Sequence, residues 1–283
     1  MKTSIVVSPV LSTARRPEAL LLVVCLALLA LAVFAPSLAQ PAHYHQFADQ
    51  RSLFGMPHAM DVLSNVPFAV LGVWGLHSLR GLTETSSGTA QRQLAVLFFV
   101  GLIITTACSA VYHWQPTDAL LALDRSGMVF AFAGMMGLAV AGRISARAGV
   151  LLAMAVLVLG PLSVWVWAAT GNVLPWVVLQ FGGLLLILAM AWLKPLPGAW
   201  AVRWGWIVLI YLGAKWLESS DEAVYQFTGH LVSGHSLKHA AAALAAWPVI
   251  CGIMALRQNS SGHELSPTAK APFSVNNNQG ETA

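Results

Sequence analysis

"SGHSLKHAAAALAAWPVICGIMAL", residues 233–256, reads as a helix that is polar over its opening turns and apolar from there on. From residue 236 to 256 the run is long enough to cross the roughly 30 Å hydrocarbon core of a bilayer. His235 and His239 stand four apart, so they lie one turn above the other on a single helix face. An ionisable group in a membrane span is costly unless it is paired or has a task. Two such imidazoles are either polar residues at a helix end or half of a metal site. What the rest of the chain sends to the same place decides between these readings.

The whole chain has the character of this stretch. Of its 283 residues 57% are hydrophobic and only 9% charged, against roughly 25% charged in a soluble domain. It is an integral membrane protein. The net charge of +4 invites a nucleic-acid reading, but the basic residues are scattered singly and form no stripe. Cys25, Cys108 and Cys251 are far apart in apolar runs and make neither a disulfide framework nor a thiolate metal motif.

Apolar runs of spanning length fall at about 18–38, 62–79, 93–112, 119–141, 148–168, 174–193, 204–220 and 236–256. Short breaks with turn signals separate them, among them "WQPT", "ATGNVLP" and "KPLPGAW". The expected fold class is therefore all-α: a polytopic seven-transmembrane-helix bundle over residues 40–257, preceded by an additional hydrophobic helix within 1–39. A Ser-, Asn- and Pro-rich tail, 258–283, has the composition of a disordered segment. Arg15 and Arg16, the apolar run and "PSLAQ" together are similar to a signal peptide, but the run is long, and a retained first helix is expected. Either way residue 40 emerges on the non-cytoplasmic side.

Threading seven helices from there sorts the charges. Lys2, Arg15, Arg16, Arg80, Arg92, Arg143, Arg147, Lys194, Arg203, Arg257 and Lys270 fall on one side. Arg51, Arg125, Lys215 and Lys238 fall on the other, with Asp49, Asp61, Asp118, Asp124, Glu218, Asp221 and Glu222. By the positive-inside rule the first side is cytoplasmic, so the core has its N-terminus out and its C-terminus in.

This threading brings His113, at the end of the third span, to the same extracytoplasmic end as Asp124, near the start of the fourth, and His235 and His239, which open the last. Ser109 shares the face of His113 one turn deeper. Three histidines on two helices supply the ligand count of a catalytic zinc site, with a fourth position left for water. Imidazole suits copper, iron and nickel as well. Asp124 has the alternative of a structural ion pair with Arg125 or Lys238, and His230 is an auxiliary candidate in the preceding loop.

Ser109-x3-His113, Asp124 and His235-x3-His239, in this order on these helices, resemble the signature of the alkaline ceramidase family. "DVLSNVPFAVLG", 61–72, is similar to that family's Ser-Asn-containing first core helix. The resemblance covers about residues 45–256 and is strongest to the bacterial branch of the seven-helix hydrolase superfamily that includes the adiponectin and progestin receptor relatives. It implies zinc held by His113, His235 and His239. It also implies hydrolysis of the amide bond of a ceramide-like membrane lipid to a fatty acid and a sphingoid base, in a bacterial inner membrane. Asp124 would then be the general base and acid, and Ser109 the oxyanion donor or the residue that orients the water. Ceramidases also bind Ca2+ through an acidic cluster before the first core helix. Here only Asp49 and Asp61 stand in that place, with Arg51 between them, whereas calcium takes six to eight oxygens. The segment serves equally as a cap over the bundle's mouth.

Other readings compete: a hydrolase of another lipid amide or ester, a receptor or sensor with structural zinc, or a haem electron carrier. A structural zinc is usually closed by a fourth protein ligand, and no cysteine lies near. Haem needs ligands on opposite sides of its ring, which an i,i+4 pair on one face does not offer.

Overall fold

Apolar runs become helices, and the helices stop or break where backbone chemistry requires it. In the computed structural model the described residues are 15–80, 82 and 88–264. Lys2, Lys270 and the tail beyond Glu264 lie outside them. Helix α1 spans Arg15–Phe34. The first core span is made of α2 (Ala59–Leu63) and α3 (Val66–Leu79). Then follow α4 (Thr89–Trp114), α5 (Asp118–Ala141), α6 (Ala146–Thr170), α7 (Leu174–Trp192) and α8 (Trp204–Ser219). A short α9 (Asp221–Phe227) leads to the last span, α10 (Gly234–Leu244) and α11 (Trp247–Glu264). The fold is the all-α bundle with an added N-terminal helix.

Among the described residues seven stretches are long and apolar enough to cross a membrane, α1 included. Helix α8 is not one of them. Its 16 residues rise about 24 Å, less than the hydrocarbon thickness, and its last turn carries Lys215 and Glu218. It packs against α7 and α10 and so completes the seven-helix core.

Two spans are interrupted. The last breaks at Ala245–Ala246, just ahead of Pro248, and the first at Ser64–Asn65, ahead of Pro67. A proline cannot donate to the carbonyl four residues back and its ring crowds that carbonyl. At the other extreme, α4 and α5 run unbroken and touch backbone to backbone. A Cβ on Gly101 would lie 2.3 Å from the Ala131 nitrogen, and one on Gly134 2.3 Å from the Phe98 nitrogen. Between membrane helices, where lipid is as apolar as leucine, such small-residue contacts supply the attraction. They bring the His113 end of α4 beside the start of α5, whose Thr117 side chain caps the Leu120 N–H.

Helix α1 lies against α7, with Leu28 seated on Gly182, and most of its surface is exposed, Leu20 at 66% and Phe34 at 84%. It is tied at both ends. Ser145 donates to Glu18, and the Leu38 N–H donates to Asn172 Oδ1 at 3.0 Å. Residues 40–58 then cross the end of the bundle where the histidines sit.

Candidate metal centre

The turn that starts α10 is built for close approach. Ser233 is the N-cap, accepting from the Ser236 N–H at 3.0 Å. Gly234 has room for no side chain, since a Cβ there would sit 2.3 Å from the Leu217 carbonyl oxygen. Asp221 accepts from the His235 N–H at 2.7 Å, placing a carboxylate at the positive end of the helix. These contacts aim the first turns of α10 at the end of α4.

His113, His235 and His239 converge there, with ligand atoms all within 4.8 Å of one another. Their exposures are 1%, 7% and 6%. The Nε2 atoms of His113 and His235 are 3.3 Å apart, which matches the edge of a tetrahedron drawn at zinc–nitrogen distances of about 2.0–2.1 Å. The tautomer of His239 follows from its neighbour. Ser64 donates its hydroxyl hydrogen to the Asp61 carbonyl at 2.9 Å and lies 2.8 Å from His239 Nδ1. With its own hydrogen committed, the serine accepts from Nδ1–H, which leaves Nε2 with a free lone pair. A ligand histidine held through its other ring nitrogen is the usual arrangement around a metal. The donor set therefore fits a divalent metal that takes imidazole. These geometries do not select zinc over its neighbours.

Phe47 closes the outer side, its ring centroid 4.4 Å from that of His235 and 4.8 Å from that of His113. On the inner side a cavity is lined by His239, Ser109, Asp124, Lys238 and Glu218, among others. Ser109 lines the same cavity as the Asp124 carboxylate, whose Oδ1 has no partner. Asp124 is thus neither paired with Arg125 nor tied up elsewhere. Arg125 turns instead to Gln40 at 2.6 Å and to the face of Trp167. Through Phe68, Thr105, Met128, Gln180, Tyr211 and Ala242 this cavity adjoins a second, lined mostly by apolar side chains.

No protein-family model and no curated protein matches this chain. Geometry and donor chemistry carry the reading of the site.

Asp49 and Asp61, the candidate calcium ligands, have protein partners in the structure. Both carboxylate oxygens of Asp49 are taken by Arg51, at 2.8 and 2.6 Å. Asp61 accepts from Ser236 at 2.7 Å, as the inner anchor of α2. Asp61 binds protein donors through Oδ1 and keeps Oδ2 buried without a partner; the guanidinium of Arg51 supplies the positive charge beside Asp49. Arg51 also donates to the Leu231 carbonyl at 2.8 Å, so it staples the cap to the loop before α10. Burial of Asp49 alone would push its pKa up, but the Arg51 hydrogen bonds outweigh it and hold the carboxyl below its usual range. The segment is the cap. His230 stays out of the centre, its ring edge-on to Tyr225.

Several site residues carried no role at the level of sequence. Ser64 was visible only within a resemblance, and Phe47 only as one apolar residue in a polar segment. Lys238 bonds Glu218 at 2.6 Å, and Lys215 pairs with the same carboxylate. A lysine between two histidines inside a span is the one signal that marked them in advance.

Proposed function

We propose that this protein is a zinc-dependent intramembrane hydrolase of the alkaline ceramidase type, cleaving the amide bond of a ceramide-like lipid. The observation that carries this reading is the sharing of one cavity by His239, Ser109 and Asp124, with an apolar chamber next to it. A lipid could lay its chains in the chamber and present its amide to the polar end.

A zinc ion held by the three imidazoles would supply Lewis acidity to a water and to a carbonyl oxygen. Asp124 does the proton work: its free Oδ1 takes a proton as the water oxygen bonds the amide carbon. The same carboxyl returns that proton to the nitrogen as the carbon–nitrogen bond breaks, releasing fatty acid and amine. Ser109 can turn its hydroxyl to the carbonyl oxygen as charge builds there. Phe47 and the cap shut out bulk water, which strengthens each of these polar contacts.

The charge asymmetry of the loops supports an active site on the extracytoplasmic face, and the resemblance to the bacterial branch supports a bacterial inner membrane. A reporter fused after Arg257 then reads cytoplasmic, and one inserted at Thr117 extracytoplasmic. The activity is tested on the purified, zinc-loaded protein with detergent-solubilised ceramide, followed by fatty-acid release. Release that stops with a chelator and returns with zinc supports the proposal. Release only from another lipid changes the substrate. Metal-loaded protein that hydrolyses nothing across a broad lipid panel replaces the hydrolase with a receptor or sensor.

A further inference from the structure

Open space in the molecule is not confined to the metal centre. A groove runs beneath α1, between that helix, α6 and α7. Cys25, Leu29, Val33, Leu152, Leu159 and Leu186 line it. Of its two polar side chains, Ser163 donates to the Gly160 carbonyl at 2.6 Å, and Asn172 accepts through Oδ1 from the Leu38 and Leu174 N–H groups. No charged residue faces it. A space of this composition discriminates in favour of hydrocarbon.

This groove and the apolar chamber beside the metal centre have two lining residues in common, Met136 and Gly183. A Cβ on Gly183 would lie 2.1 Å from Met136 Cε, so the methionine side chain occupies the place a side chain at 183 would take. Methionine is unbranched and has three rotatable bonds. Its side chain is the one that stands between the two spaces. Helix α1 is tied near its ends by Glu18 and by the residues after it at Leu38, and between those ties it bridges the groove like a strap.

We infer that the groove under α1 is a lateral entry site for one alkyl chain of a bilayer lipid, which passes the Met136–Gly183 partition into the chamber beside His239. The inference rests on the hydrolase reading for its purpose, not for its geometry: the route runs from the lipid-facing side of α1 to the polar cavity along mainly apolar walls, with Ser163 and Asn172 in the groove and Thr105, Gln180 and Tyr211 in the chamber as the polar exceptions. The lipid would enter tail first, and its amide would be the last part to arrive.

The test uses the full-length protein in nanodiscs with palmitic acid carrying a mid-chain diazirine, and maps the crosslinked peptides after irradiation. In the wild type, label is expected on α1 between Cys25 and Val33 and also on chamber residues such as Ile207 and Ala242. Gly183→Leu fills the partition, so chamber label should fall to background while groove label remains. Met136→Ala removes the partition, so chamber label should rise several-fold, an outcome that stands even if the leucine variant fails to fold. Chamber label unchanged in both variants, or chamber label without groove label in the wild type, overturns the route. The probe has no bond to hydrolyse. A protein that takes up label as expected but cleaves no lipid keeps the route and loses the hydrolase; one that cleaves ceramide with an unlabelled groove keeps the hydrolase and loses the route.

Discussion

Helices α4 and α5 on one side, and the paired segments α2–α3 and α10–α11 on the other, solve the same problem in opposite ways. The first pair is continuous and dry, locked by glycine at Gly101 and Gly134 where backbones touch. The second pair is broken ahead of prolines, and its interior is polar, with Asp61, Ser64, Ser233, Ser236 and His239 bonded to one another. Each half carries part of the centre: Ser109, His113 and Asp124 come from the rigid half, Ser64, His235 and His239 from the broken one. The difference teaches why both kinds exist. Unbroken helices hold two groups at a set depth, whereas a break frees backbone groups and turns a serine toward a ring nitrogen that needs a partner.

The sharpest way to break this comparison is to remove a ligand from each half. His113→Ala and His239→Ala should both abolish bound metal, read by elemental analysis of the purified protein, and with it lipid hydrolysis. If one of the two retains full occupancy, the halves do not share a metal. Next in size is Asp124→Asn, which keeps shape and removes the base. It should keep its metal and lose roughly 10²–10⁴-fold in turnover, measured as fatty-acid release.

The two halves should then separate in what they control. Ser64→Ala removes the partner of His239 Nδ1, and loss of such a partner costs about 10–100-fold in metal affinity, read by competition with a chelator. Gly134→Ala forces α4 and α5 apart and should cost about 1–3 kcal/mol of stability, seen as a lower unfolding temperature, with metal affinity of the folded protein unchanged. Metal loss in the glycine variant comparable to that in the serine variant would erase the distinction.

The smallest effect belongs to the cap. The carboxyl of Asp49 is held below its usual range by Arg51, so the pair's contribution is fully present above the unfolded value of about 3.9 and is lost as pH falls through the lower folded one. Proteolysis within residues 43–58 should therefore stay slow down to about pH 4 and quicken below it. In Arg51→Met the cleavage should already be faster at neutral pH.

Hydropathy and spacing determined the helices and the presence of a three-histidine site, because span length, the i,i+4 face and the order of motifs are local properties of the chain. Even the break ahead of Pro248 is a local signal, although a window of mean apolarity reads across it. Local spacing could not say that Ser64, far away in sequence, supplies the proton acceptor for His239, nor that Lys238 turns to Glu218 and leaves Asp124 with a free oxygen. Asp49 shows the same competition at short range: a carboxylate that suggested a cation ligand takes its cation from Arg51, two residues along the same chain. Tertiary structure decided these matters because a buried polar group takes whichever partner the packing brings within hydrogen-bond reach, and that packing is set by glycines and prolines, some far from the groups they bring together and some, like Gly234 beside His235, next to them.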